Sequence, residues 1–265
     1  MRGSGGPTLI DSDTWRHILN CKSYSRESQN LAEAISGIAK ILCTEKVHPC
    51  CLKEFSAGRL VPLDKGADSE GNPGVRPIGI GEILRRIIGK CVVSLLKSDI
   101  QHAAGCLQMC TGIRSGIEAA VHMNERAWAD PSTEAVLLVD ADNAFNRLNR
   151  KVALHNIQQI CPPIYTYLFN HYQAPSDLIV AGTFDSDFDL NSEEGCTQGD
   201  VAAMAFYGLG VQPLVDKLSS LCNYPQYCKQ SWYADDSASK WWDLLISVGP
   251  KYMGTSPSQI KLSLC

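Results

Sequence analysis

Five consecutive apolar residues, Ala135–Val139, run straight into a carboxylate, Asp140. A run so short and so uniformly apolar predicts a strand buried on both faces rather than an amphipathic helix. A carboxylate at the end of such a strand is costly unless it finds a partner. Helices are predicted around this strand. Leu31, Ile35, Ile38 and Leu42 recur at helical spacing, and Ile83, Leu84, Ile87, Ile88, Cys91, Val92, Leu95 and Leu96 describe a stronger helix. A third carries Leu148, Val152, Ile157 and Ile160 inward and is expected to stop at Pro162-Pro163. Residues 177–182 predict a second strand, 195–221 a glycine-bounded turn that becomes helical, and 231–239 two short strands around Asp235-Asp236. Residues 47–75, punctuated by Gly66, Gly71, Pro73 and Gly74, read as loop. The first ten residues read as a fraying terminus. Strands and helices are interleaved without the regular alternation of a doubly wound sheet, so the expected class is mixed α+β.

Composition narrows the classes of function. With 265 residues, 45% hydrophobic and 20% charged, the chain has ordinary globular content, which excludes wholesale disorder. A net charge of -4 excludes binding nucleic acid by bulk positive charge. No stretch approaches the roughly 20 apolar residues of a membrane span. Met1–Trp15 lacks an apolar core, so no signal peptide is expected and the location is read as intracellular, nuclear or cytoplasmic. The twelve cysteines are scattered, several inside apolar runs, which favours free, buried thiols in a reducing compartment, and the lack of a C-x-x-C pair weakens a zinc ribbon. His102, Cys106 and Cys110 would share one helix face at four-residue steps, but without a fourth ligand core packing is the expected role.

Charge is unevenly spread. Residues 53–97 hold eight Lys or Arg against five Asp or Glu, whereas residues 177–200 hold seven acidic residues and no basic one. Two such segments suit a site that holds phosphates and metal ions together, and equally suit two solvated faces. Asp235 and Asp236 are adjacent in a predicted tight turn, where their repulsion would be relieved by a divalent cation. If that hairpin lies beside the 135–139 strand, Asp140 and Asp235 converge. Such a pair suits Mg²⁺, which takes a few carboxylates plus substrate phosphate oxygens. An isolated Asp-Asp turn has a plainer explanation, since Asp favours turns anyway.

The pair is not isolated. Val-Arg-Pro-Ile-Gly (75–79), Val-Asp-Ala-Asp-Asn-Ala-Phe-Asn (139–146), Gly-Cys-Thr-Gln-Gly-Asp (195–200) and Tyr-Ala-Asp-Asp (233–236) follow one another along the chain. In this order they resemble a reverse transcriptase, and most of all the polymerase domains of eukaryotic retroelements of the non-LTR or a related type. The resemblance runs from about Leu60 to the end of the sequence. It implies a right-hand polymerase fold with an antiparallel palm sheet flanked by helices. On this reading residues 1–59 are a helical extension, about 60–130 the fingers and about 131–265 the palm, with no room for a thumb. It further implies an RNA-directed DNA polymerase that uses two Mg²⁺ ions, or Mn²⁺ in their place, a primed RNA or DNA template and deoxynucleoside triphosphates. Asp140 and Asp235 match the metal-binding aspartates, with Asp236 the less critical neighbour and the carbonyl of Ala141 completing one metal's shell. Phe145 matches the aromatic gate against a ribose 2′-hydroxyl. Gln198 and Gly199 match the turn lining the nucleotide and template pocket, Lys65 and Arg76 resemble the triphosphate-gripping residues, and Lys261 resembles a lysine that protonates pyrophosphate.

The sequence also departs from that pattern. Asp142 adds a charge inside the first aspartate motif, Asp200 is followed by Val-Ala-Ala, and only Ser237–Lys240 separate Asp236 from Trp241-Trp242. These features imply a fragment or a divergent copy, so a catalytically dead nucleic-acid-binding remnant is an alternative. An RNA-dependent RNA polymerase is a further one, disfavoured by Phe145. Asp185, Asp187 and Asp189 occupy the first, third and fifth positions of an EF-hand-like loop. The sixth position is Leu190 and the twelfth Cys196, so an exposed acidic hairpin loop is the expected reading.

Overall fold

The computed structural model describes residues 4–67, 71, 73–131, 133, 135–141, 143–180, 190–197, 199–221, 228–241 and 261–262. In chain order the first elements are α1 (Ser12–Leu19), α2 (Ser25–Thr44), α3 (Lys53–Ser56), β1 (Gly58–Ala67), β2 (Pro73–Gly81), α4 (Ile83–Leu95), α5 (Lys97–Ala104) and α6 (Gly116–Ala129). There follow β3 (Ala135–Val139), α7 (Ala144–Arg147), α8 (Arg150–Ile160), α9 (Pro162–Tyr172), β4 (Ser176–Val180) and β5 (Leu190–Ser192). The last are α10 (Ala203–Leu221), β6 (Cys228–Tyr233), β7 (Asp236–Trp241) and β8 (Lys261–Leu262). The class is mixed α+β, as expected. The chain forms two compact units, one drawn from Met1–Leu96 and Phe145–Ala203, the other from Lys97–Ala144 and Met204–Cys265.

The first unit is built on a sheet of order β2-β1-β4-β5, in which β1 and β4 run parallel and the other pairs antiparallel. Its β1–β2 hairpin replaces much of the loop expected over residues 47–75. The punctuating residues Gly66, Gly71, Pro73 and Gly74 mark the turn of that hairpin and its approaches. Pro62 and Pro77 face each other across it. Among the described residues β1 pairs with β4 only over Gly58–Leu60, so at Pro62 no described strand calls on the missing N–H from that side. α3 packs on β4, and the longer helices of this unit pack on one another, α2 on α4 and α9, and α8 on α9. Its core holds Leu42, Ile83, Ile88, Val92, Ala153, Leu154, Ile157, Ile164, Tyr167 and Leu168.

Helical spacing located these helices better than it located their buried faces. Ile38, Leu95 and Val152, each expected inward, are exposed. α8 stops at Pro162-Pro163 as expected: Cys161, the residue before Pro162, leaves the helical region at φ -142° and ψ 64°, and Pro162 opens α9 at its first turn, where a missing N–H costs nothing. The N-terminal segment is not frayed from Ser4 onward. Thr8 donates from its backbone N and its Oγ1 to the Glu82 carboxylate at 2.7 and 2.9 Å, and Gly5 and Gly6 are buried. The predicted 177–182 strand is β4, with 181 and 182 outside the described residues, as are Asp185, Asp187 and Asp189 of the acidic segment. The flanking β4 and β5 pair antiparallel.

The second unit carries a sheet of order β6-β7-β3-β8. The hairpin β6–β7 and the pair β3–β7 are antiparallel, and β8 joins β3 in parallel. α6 packs on β6 and β7, where Ser231 Oγ donates to Asn124 Oδ1 at 2.9 Å. Ile100, Met109, Ala120, Phe206, Leu209, Val215 and Trp232 fill the core. α5 ends at Ala104, and Gly105 turns the chain with φ +65°, so His102, Cys106 and Cys110 do not share a helix face. Cys106 is exposed and Cys110 buried. Among the described residues no helix is long and apolar enough to cross a membrane.

Candidate active site

The strand 135–139 and the hairpin around Asp235-Asp236 are neighbours in one sheet. In the β3–β7 register Val139 lies opposite Ser237, so the next step along both strands brings Asp140 level with Asp236. Burial raises the Asp235 carboxyl above its ordinary value, and the charges of Asp236 and Asp140 raise it further. The Asp236 carboxyl is raised by burial and then by Asp140. Beside them opens a cavity of about 490 Å³, walled by Ile117 and Val121 of α6, Leu138, Tyr233 and the acidic residues Asp140 and Asp236.

Carboxylates raised chiefly by burial, with a neighbouring acidic charge adding to it, suit a hard dication, which reverses the sign of the local field. Of the expected oxygen donors, Asp140 lines this cavity with Asp236 beside it, while Asp235 and Ala141 are not part of its wall. Among the described residues no set of three or more His, Cys, Asp or Glu side chains is gathered closely enough to ligate a metal unaided. Mg²⁺ does not require one, because it commonly keeps waters and substrate phosphate oxygens in its shell. Asp142 lies outside the described residues. Lys261, on β8, pairs with Leu138 of β3, so its backbone belongs to the same sheet.

The turn that carries the two aspartates bends through Ala234, which has the left-handed φ of 56°. That conformation costs a non-glycine residue about 1–2 kcal/mol. It is held by Gln108, which is fully buried: Ala234 N donates to Gln108 Oε1 at 2.9 Å, and Gln108 Nε2 donates to Ala234 O at 3.3 Å.

The remaining sequence candidates belong to the first unit. Lys65 is the extra residue of a bulge in β1, between Asp64 and Gly66, and Arg76 lies on β2 opposite Leu63. Gln198 lies outside the described residues. Gly199 has φ +104°, and a Cβ there would stand 2.7 Å from the Gly79 carbonyl of β2, so glycine is required on both grounds. Phe145, on α7, is half-buried, and its carbonyl accepts from Cys196 N at 2.6 Å. Asp140, Asp235 and Asp236 are thus brought together in one unit, while Lys65, Arg76, Phe145 and Gly199 fall in the other.

The loop 192–200 in the first unit is fastened by two arginines that motif reading passed over. Arg150 donates from Nε to Gly195 O at 2.7 Å, and from its Nη atoms to Ser192 O at 2.8 Å and Ser192 Oγ at 2.7 Å. Arg85, buried, pairs with buried Asp200 and donates to Ser56 O at 2.7 Å. Tyr172 joins the two ends: the Arg150 guanidinium lies over its ring, and its hydroxyl donates to Asp200 Oδ2 at 3.1 Å. Gly195 itself has φ +65°, and a Cβ there would overlap the Phe145 carbonyl oxygen and stand 2.4 Å from Asn146 C. Gly195→Ala should therefore destabilise the chain by about 2–4 kcal/mol, read as a lower denaturant midpoint at constant m. An unchanged midpoint would contradict this packing.

No family model matches the chain, and no curated protein matches it either. Among solved structures it is similar to apo telomerase from Candida tropicalis truncated from its C-terminal domain, with a TM-score of 0.48 and 15% identity. The match covers 71% of this chain and 44% of that one, so the chain spans less than half the length of the structure it resembles. A likeness this faint decides nothing about activity.

Proposed function

We propose that the chain is the fingers and palm of an RNA-directed DNA polymerase of the retroelement kind, which extends a primer 3′-end with deoxynucleotides by phosphoryl transfer. The observation that carries this reading is the meeting of Asp140 with Asp235-Asp236 on adjacent strands of one sheet, in a chain whose four motifs follow the order of that family. Asp140 and Asp235, with the Ala141 carbonyl, would hold the metal, and Asp236 would contribute charge from the second row. Bound there, Mg²⁺ (or Mn²⁺) would supply the activation of the 3′-hydroxyl and the neutralisation of the leaving pyrophosphate. Lys65 and Arg76 carry the charge suited to gripping a triphosphate. Gln198 and Gly199 would line the pocket for nucleotide and template, and Lys261 would return a proton to pyrophosphate.

Primer extension on an RNA template with Mg²⁺ at low salt tests the reading. Metal-dependent addition of deoxynucleotides is expected, and no addition on any primed template would leave only a binding remnant. Preferential use of ribonucleotides would point to an RNA polymerase instead. Phe145 gives a sharper result. Phe145→Val removes the ring assigned to the 2′-hydroxyl clash, so ribonucleotide incorporation relative to deoxynucleotide should rise by about 10-fold or more. A ratio that does not move assigns Phe145 to packing alone.

A further inference from the structure

We propose that Gln108 is the positioning residue of the Tyr233–Asp236 turn, setting the backbone from which Asp235 and Asp236 project; the inference rests on the polymerase reading of those carboxylates. Several observations carry it. Gln108 has no exposure to solvent, yet it lies on no regular helix or strand and makes no ion pair in the described structure. A buried primary amide requires partners for both its ends. Gln108 spends both on one residue, accepting from Ala234 N and donating to Ala234 O. Ala234 is the left-handed residue of the turn and is itself buried, and its N–H also faces the Cys110 sulfur, so withdrawing the amide leaves the Ala234 carbonyl without that donor in a buried place.

The segment around Gln108 is itself tied to β6. Trp232 N donates to Leu107 O at 2.9 Å, and Met109 N donates to Trp232 O at 2.8 Å. Residues 107–109 therefore run as a short extra rung beside the hairpin, with the Gln108 side chain reaching past its end to the next residue but one. The backbone bonds fix where the hairpin lies, and the amide fixes how its tip bends. Without the amide, Ala234 gains by relaxing out of the left-handed region, and Asp235, the next residue, moves with it. Displacements near 1 Å in such a site cost about 100-fold in rate.

Two variants test this in the full chain. Gln108→Asn keeps the amide but shortens its reach by one methylene, and Gln108→Met keeps the length but removes the amide. In both, kcat for single-nucleotide addition should fall about 10- to 100-fold, while affinities for primer-template and deoxynucleoside triphosphate stay within about 3-fold. Adding Ala234→Gly to either variant should recover a substantial part of kcat, because glycine holds the left-handed turn without help. A generally loosened core would not respond to that second change. Independently of activity, amide exchange at Ala234 should quicken by about 10-fold or more, with β3 amides keeping their wild-type protection. If the wild-type chain adds no nucleotide, the polymerase reading falls, and exchange at Ala234 alone decides whether Gln108 holds the turn. Unchanged exchange at Ala234, or a loss of kcat that Ala234→Gly does not relieve, would overturn the proposal.

Discussion

Asp235→Asn should reduce nucleotide addition by on the order of 10³-fold or more, and in metal-free buffer it should at the same time make the chain more stable. The loss follows from the proposed role of Asp235 in holding the metal, since charge stabilisation at the transferring group is most of the catalysis in phosphoryl transfer. The gain follows from the geometry. The Asp235 carboxyl sits above its ordinary value because of burial and the charges of Asp236 and Asp140. A folded value above the unfolded one means that the ionised form opposes folding, with stability lost as pH rises through the folded value. Removing that charge removes the opposition, so the thermal midpoint of Asp235→Asn should exceed that of wild type at neutral pH and not in strong acid. Asp236→Asn should cost activity far less, roughly 10-fold at most, because Asp236 is the more exposed of the two. Primer extension and a melting curve on the same preparations read both effects. Near-normal polymerisation by Asp235→Asn would sink the metal-site assignment, whatever the melting curve did.

Asp200→Asn should destabilise the chain by about 3–5 kcal/mol, because it leaves the buried Arg85 guanidinium without its counter-charge. A loss of that size lowers the melting midpoint by roughly 10 °C. Replacing both partners by apolar residues, as in Arg85→Met with Asp200→Leu, should cost less than Asp200→Asn alone, since no charge is then stranded. The pair also has a pH signature. Burial pushes the Asp200 carboxyl up, but the Arg85 guanidinium, the His171 imidazole, the Ala202 N–H and the Tyr172 hydroxyl outweigh it and hold the carboxyl below its ordinary 3.8. A folded value below the unfolded one contributes stability that is complete above the ordinary carboxylate value and drains away as pH falls through the folded one. Wild-type stability should therefore steepen downward below about pH 4, and Asp200→Asn should lack that steepening. His171 adds a separate slope above it. Buried and held neutral, with its imidazolium value pushed down to about 4 by burial and then by Arg85, it makes the fold lose stability as pH falls from its ordinary 6.5. Acid denaturation followed for wild type and Asp200→Asn separates the two contributions, and identical curves below pH 4 would contradict the ion pair.

Local pattern was enough to determine a good part of this protein. The uninterrupted apolar run Ala135–Val139 was enough to predict a strand but not its burial, since Leu138 is exposed, and the paired aspartates were enough to predict a tight turn between short strands. The helix over Ile83–Leu95 follows from its spacing, and the α+β class from the interleaving of these elements. Tertiary structure alone decided the rest, because the groups involved are far apart in the chain. Gln108 and Ala234 are separated by 126 positions and Arg85 and Asp200 by 115, and a pairing across such a distance leaves no periodicity in either segment. The β1–β2 hairpin was hidden for a different reason: its glycines and prolines carry the composition of a loop, and only the antiparallel pairing of β1 with β2 turns them into strand. The step that brings Asp140 level with Asp236 is likewise a property of the register between β3 and β7, set by backbone hydrogen bonding that no side-chain pattern records. The chemistry of each carboxylate was written locally, whereas their convergence depends on which strands chose to be neighbours.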